Sequence, residues 1–216
     1  MKWLIAAWLV LYGFSGATHA QSVDGISVRE SAVLAEMNRA RADPAAYADM
    51  LREYRTYFNG RIMRRPGDRD GILTNEGVSV VDEAIAFLEL QAPLPPFAAS
   101  RLLARAADDH VDEQGPRGAL GHASRDGARA GDRAQRRGGG RYVAEAISYG
   151  PSEGAEVVRQ LIVDDGVPDR GHRHLIFTDE FRYAGVGCGD HARFEHMCAI
   201  SFGTTTTGHY RNGSPD

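Results

Sequence analysis

The residues with most chemistry to offer are seven histidines in the second half of the chain, His110, His122, His172, His174, His191, His196 and His209, and two cysteines, Cys188 and Cys198. An imidazole can hold a metal, move a proton or simply hydrogen-bond, and its surroundings decide which. No His-Glu-x-x-His or comparable fixed-interval set occurs, so spacing alone builds no metal site. His110 falls beside Leu103, Ala106 and Ala107 on one helical face, where a lone histidine reads as a satisfied core or boundary residue. His174, His191, His196 and His209 read as loop or strand-surface residues. His122 and His172 differ from these, because each directly follows a glycine, Gly121 and Gly171. Glycine permits the tight backbone approach that loops and strand ends around a cleft need.

Several other devices are excluded. Lys2 is the sole lysine, so beyond it there is no amine for Schiff-base or lysine general-base chemistry. No Gly-x-Ser-x-Gly elbow is present to raise a serine nucleophile. Asp164-Asp165-Gly166 suggests a calcium loop, but the twelve-residue spacing with a closing bidentate glutamate is missing, and an acidic helix end is the better reading. The arginines from Arg125 to Arg141 are interleaved with Asp126 and Asp132 and lack an accompanying aromatic series, which reads as a solvated loop. With 29 acidic residues and a formal net charge of −4, the whole chain is mildly acidic, and no nucleic-acid partner is expected.

The chain opens on Lys2, an apolar run from Trp3 to Phe14, and small residues at Thr18 and Ala20 ahead of Gln21. Such a run is shorter than the roughly 18–20 residues that span a bilayer, so residues 1–20 read as a cleaved signal peptide and no transmembrane anchor is expected. The expected location is secreted or periplasmic. In an oxidising compartment the isolated pair Cys188 and Cys198 reads as a disulfide, which leaves no free thiolate nucleophile.

The remaining residues suffice for one domain with a substantial core. Ser27-Val28-Arg29-Glu30 has capping-box spacing, followed at helical intervals by Val33, Leu34, Met37 and Arg41. Asp43 caps a second helix with Pro44 at its first position. Residues 59–77 read as a loop, Ser79 opens a third helix that stops before Pro93, and Ser100 opens a fourth. Within 115–141 a short helical turn is predicted at Asp132 to Arg137. Then the pattern changes: a strand at Arg141-Tyr142-Val143, a helix from Ala155 to Val163, and a β-hairpin of Gly185–Cys188 with Met197–Phe202 turning near Arg193. Helices precede strands instead of alternating with them, which predicts an α+β fold with an antiparallel sheet. Cys188 and Cys198 then face each other across the hairpin. Residues 204–216, almost without apolar content, read as a flexible tail.

Four segments carry a resemblance. Asn38-Arg39-Ala40-Arg41-Ala42-Asp43-Pro44, Leu120-Gly121-His122-Ala123-Ser124-Arg125-Asp126-Gly127, Ala144-Glu145-Ala146-Ile147-Ser148-Tyr149-Gly150, and Arg170-Gly171-His172-Arg173-His174-Leu175-Ile176-Phe177 with Val186-Gly187-Cys188-Gly189 resemble, in order, the signatures of bacterial members of the CAP superfamily. That superfamily includes cysteine-rich secretory proteins, antigen 5 and plant pathogenesis-related proteins, whose shared unit is the SCP-like extracellular domain. The resemblance implies an α-β-α sandwich with a central, mainly antiparallel sheet over 21–203, and a cleft lined by two histidines and two acids. These map to His122, Glu145 and His172, with Asp164 as the second acid because Leu161 takes the place of the family's Trp three residues earlier. Ala144, Ala146 and Leu175 depart from the pattern, and an insertion near 55–95 belongs to none of the motifs. What the resemblance implies is a binding or interaction module for a peptide, lipid or cell-envelope ligand. The alternative is a metal-assisted hydrolase with His122 and His172 as Zn²⁺ ligands and Glu145 as the catalytic general base. No cofactor other than Zn²⁺ is suggested.

Overall fold

The computed structural model describes residues 27–210; the proposed signal peptide and the last residues of the tail lie outside them. Seven α-helices, a single 3₁₀ turn and two sheets are found among the described residues. Helix α1 (Val28–Ala42) begins with the expected reciprocal cap: the Glu30 amide donates to Ser27 Oγ at 3.2 Å and the Ser27 amide to Glu30 Oε2 at 2.7 Å. Asp43 ends α1 and caps α2 (Pro44–Arg55) through the Ala46 amide. Arg41, expected on the apolar face of α1, is indeed fully buried. Its guanidinium donates to Pro95 O at 2.8 Å and Ile176 O at 2.6 Å and lies 4.0 Å from the centre of the Phe97 ring. Burial lowers this group to about 10, and its charge is spread over carbonyls and a π-face, with no carboxylate bound among the described residues.

The insertion is not a plain loop. It folds into three two-residue strands, β1 (Phe58–Asn59), β2 (Ile62–Met63) and β3 (Ile72–Leu73), followed by α3 (Val78–Leu90). Ser79 does not cap α3; its hydroxyl donates to Glu76 O, and Gly77 begins the helix with no side-chain cap. After β4 (Ala98–Ala99) comes α4 (Arg101–Gln114), capped by Ser100 through the Leu103 amide, then the 3₁₀ turn Gly115–Arg117 and α5 (Ala130–Arg136). Strand β5 (Val143–Tyr149), α6 (Gly154–Val163), α7 (Gly171–Phe177), β6 (Tyr183–His191) and β7 (Glu195–Gly203) complete the chain.

The main sheet runs β4-β6-β7-β5, antiparallel except for the short parallel β4–β6 pairing. Helices cover both faces, which gives the α-β-α sandwich. Alternation along the strands separates the two cores. Cys198, Ile200 and Phe202 of β7 join α1, α2, α3 and α6 in the larger core, while Met197 and Ala199 turn to Ala107 and Val111 of α4. On β6 the residues facing α4 are Gly185, Gly187 and Gly189. A Cβ built on Gly187 would sit 2.5 Å from the Asp108 backbone nitrogen, and one on Gly185 would press into the backbone of Leu103 and Ala104. The missing side chains let α4 lie directly on the strand.

Cys188 and Cys198 are register partners in the β6–β7 ladder and form the expected disulfide. Titrating the unfolded, unreduced protein with a thiol reagent should find no thiol, and Cys188→Ser with Cys198→Ser should lose about 2–3 kcal/mol of unfolding free energy in urea. Two reactive thiols before reduction would contradict the pairing. The tail differs from expectation: Thr204–Tyr210 is anchored, with Gly140 and Tyr142 amides donating to Thr207 O and Gly208 O, each at 2.8 Å, and Ser100 Oγ donating to Thr206 O. Backbone pairing, which leaves no hydrophobic signature, holds this segment.

Candidate functional site

Strand β5 turns Ala144, Ala146 and Ser148 toward the larger core and Glu145, Ile147 and Tyr149 toward α4 and α5. The departures at Ala144 and Ala146 thus serve packing and lie on the opposite face from the cleft carboxylate; Leu175 also packs against the larger core. The Glu145 side chain is only 3% exposed. Its Oε1 accepts from His122 Nδ1 at 3.0 Å, and its Oε2 from Arg133 of α5. Burial would raise this carboxyl, but the His122 hydrogen bond and the Arg133 charge outweigh it and hold Glu145 below the usual carboxylate value. Arg133, 2% exposed, also donates through Nη1 to His122 O (3.2 Å), Ser124 Oγ (3.2 Å) and Ala128 O (3.0 Å). The composition of 125–141 concealed this residue. The available signal was helical: Ala130, Arg133 and Ala134 lie at i, i+3 and i+4, on one buried face.

The segment before His122 is fixed at successive residues. Gly121 takes a left-handed φ of 94°; its amide donates to Tyr149 Oη at 3.0 Å, and its carbonyl accepts from His110 Nε2 (2.9 Å) and Gln114 Nε2 (2.7 Å). Tyr149 Oη donates in turn to Gln114 Oε1. His110 is fully buried, as its helical position predicted, and burial lowers its pKa despite the nearby Glu145 charge. His191, read as a surface residue, is also buried: its Nδ1 accepts the Arg193 and Phe194 amides, so its Nε2 carries the proton donated to Ala119 O. His174 packs edge-on against Phe87, while His196 and His209 make local polar contacts with Asp190 and Thr207.

The other half of the site is built where α6 ends. Asp164 follows α6 in a left-handed conformation (φ 60°) and is buried. Its Oδ1 accepts from His172 Nδ1 at 2.6 Å, and its Oδ2 from the amides of His172 (3.0 Å) and Arg173 (3.3 Å). Arg173 donates to Ile162 O and Val163 O, which supplies partners to carbonyls at the open end of α6. The insertion then clamps this arm. Arg170 binds both Glu76 and Glu83, Arg173 also binds Glu83, and Asp165 accepts the amides of Asn75 and Glu76. The insertion carries no recognisable motif, yet it fixes the loop that presents His172. The Arg170 hydrogen bond, with the Gly166 amide, lowers Glu76 to about 2. The folded value lies below the unfolded one of about 4.3, so this stabilisation is complete above about pH 4.3 and is lost as pH falls toward 2. The Gly166 amide shift, followed by NMR, should report that titration with a midpoint near 2; a midpoint at the free-glutamate value would contradict the clamp.

The structure brings His122, Glu145, Asp164 and His172 together. The two imidazole centroids are 6.5 Å apart with planes inclined at 40°. Each Nδ1 faces a buried carboxylate, while the rings remain 46% and 21% exposed. An ionised carboxylate can only accept, so each Nδ1 carries a proton and each neutral ring keeps its lone pair on Nε2. His172 and Asp164 also line a cavity of about 880 Å³ that extends along Leu161, Tyr149 and the insertion; His122 and Glu145 do not contribute to that lining. For zinc, among the described residues no three His, Cys, Asp or Glu side chains converge to hold a metal. Both carboxylates are committed to Nδ1 atoms, and the two Nε2 atoms fall short of the three protein ligands of a catalytic zinc site. The residues as placed do not fit such a site.

The crystal structure of an extracellular protein containing an SCP domain from Bacillus anthracis str. Ames resembles this chain with a TM-score of 0.43 and 21% identity, over 58% of this chain and 37% of that one. The present chain therefore corresponds to little more than a third of that protein's length. No curated protein matches. A family model described as CAP, cysteine-rich secretory protein family, matches residues 34–204, from inside α1 to just past β7. That match takes in both halves of the sandwich and His122, Glu145, Asp164 and His172, and the chain belongs to the CAP family of cysteine-rich secretory proteins.

Proposed function

We propose that the protein is an exported binding or interaction module that holds a peptide, lipid or cell-envelope component in the cleft around His122, Glu145, Asp164 and His172, after removal of residues 1–20. The observation that carries this reading is the pair of imidazoles, each anchored through Nδ1 on a buried carboxylate and each keeping Nε2 for a ligand. No helix among the described residues is long and apolar enough to cross a membrane. A zinc-dependent hydrolase using Glu145 as general base is less well supported. A general base works best with a pKa near the operating pH, whereas Glu145 is held low and both its oxygens are occupied.

The two readings separate in one experiment. Hydrolysis of p-nitrophenyl butyrate and of fluorescein-labelled casein should be the same, with and without added Zn²⁺, for the wild type, His122→Ala and His172→Ala. Turnover that depends on Zn²⁺ and disappears in both variants would establish the hydrolase instead.

A further inference from the structure

The cavity beside His172 has one wall supplied by the insertion. Met63 of β2 and Ile72 and Leu73 of β3 line it together with Ile147, Leu161 and Phe194 of the main domain. Ile72 and Leu73 are 59% and 70% exposed, which is unusual for adjacent large aliphatic residues on a structured strand. β3 is also an edge: among the described residues it pairs with β2 alone, and its outer side has no strand partner there. An open edge with apolar side chains beside a cavity is the geometry by which a sheet accepts an extended peptide as an added strand.

Charge narrows the occupant further. The cavity's arginines are both committed: Arg65 and Arg159 share Glu156, and Arg159 also lies 4.3 Å from the centre of the Tyr54 ring. The lining carries five carboxylates against those two arginines: Glu156, bound by both; Asp164 and Asp165, which accept from His172 and from backbone amides; and Glu153 and Glu195, exposed with no ion-pair partner among the described residues. The cavity therefore offers apolar walls under an acidic rim, which repels a fatty-acid carboxylate or a phosphate headgroup and attracts cations.

We infer that this cavity binds an extended peptide segment in which apolar and basic residues alternate, adding to the free edge of β3 with its apolar side chains between the insertion and Leu161 and its basic side chains toward Glu153 and Glu195. This deepens the proposed binding role, on which it rests, by naming the ligand class. A volume of about 880 Å³ lies within the usual range of binding pockets and takes only a few residues.

The test uses fluorescein-labelled Leu-Arg-Leu-Arg-Leu-Arg in fluorescence anisotropy, with Leu-Glu-Leu-Glu-Leu-Glu, Ser-Arg-Ser-Arg-Ser-Arg and dansyl-undecanoate as comparisons. The Leu-Arg peptide should bind at least tenfold more tightly than each of the others, and more weakly as salt rises. Leu73→Asp, and separately Glu153→Lys with Glu195→Lys, should each weaken it tenfold or more while melting temperature and circular dichroism stay as in the wild type. Equal binding of the Leu-Arg and Leu-Glu peptides, tighter binding of dansyl-undecanoate, or indifference to Leu73→Asp would overturn the inference. Imidazole ¹⁵N spectra recorded in parallel separate the two proposals. Peptide binding that shifts neither His122 nor His172 keeps this inference and removes the histidine cleft from the binding role. Imidazole shifts with dansyl-undecanoate but no peptide binding do the reverse.

Discussion

Replacing Gly185 with alanine should cost about 3 kcal/mol or more, the upper end of what overpacking a well-filled core produces. The added methyl would meet the backbone of Leu103 and Ala104, which no side-chain rotation can relieve. Helix α4 must then lift from β6, and α4 carries His110 and Gln114, whose hydrogen bonds hold Gly121 ahead of His122. The loss should therefore appear both as a lower urea midpoint and as a displaced His122 resonance. Gly189→Ala is the internal comparison. Its new methyl would meet a single side-chain atom, Val111 Cγ1, at 2.7 Å, which can give way more readily than helix backbone. It should cost clearly less, and equal losses at both positions would show that α4 does not bear on the strand as described.

Arg133→Met is the second substitution with a large expected effect. It removes the counter-charge of Glu145, a carboxylate only 3% exposed, and truncating one partner of such a buried pair costs about 3–5 kcal/mol. Adding Glu145→Gln should restore part of that loss, because the uncompensated charge goes with it. The pH response gives an independent check. In the wild type the Glu145 folded pKa lies below the unfolded value, so its contribution is fully present above about pH 4.3 and lost as pH falls through the lower folded value. In Arg133→Met the lowering by the Arg133 charge and hydrogen bond is gone while burial remains, so the folded pKa moves up and the contribution of Glu145 is lost at a higher pH than in the wild type. An Arg133→Met protein with wild-type stability and pH dependence would contradict the assignment of Arg133 as the holder of this carboxylate.

Local signals in the chain were legible and distant ones were not. The Ser27 capping box, the Asp43-Pro44 restart, the short helix around Arg133 and the hairpin that pairs Cys188 with Cys198 are all written in residues within a few positions of one another. By contrast α7 draws only its first amide from a local side chain, Gly171 donating to Asp169; those of His172 and Arg173 donate to Asp164 at the end of α6, after a left-handed Arg170. Strand β4 is only Ala98 and Ala99, placed by its parallel pairing with Tyr183 and Ala184, and nothing in two alanines specifies a strand. The strands of the insertion are equally short. Arg41 was legible as an inward position but not as a buried charge, since its carbonyl acceptors come from segments more than fifty residues away.

The site divides in the same manner. Family resemblance, together with the glycines ahead of His122 and His172, was enough to point to the four residues that converge. What holds them was hidden. Tyr149 and Gln114 reach Gly121 only because Tyr149 projects from β5 onto the sheet face that α4 covers, and Glu76 and Glu83 reach Arg170 across nearly ninety residues or more of chain.

The pairing of each imidazole with a carboxylate is tested most directly by the long-range ¹H–¹⁵N spectrum of the histidines at a pH where the rings are neutral. The geometry predicts that His122 and His172 are both Nδ1–H tautomers with an unprotonated Nε2, that His191 is the opposite tautomer, and that Glu145→Gln moves the His122 signals. Nε2–H tautomers at both His122 and His172, with neither signal moved by Glu145→Gln, would contradict the paired cleft on which the proposed function depends.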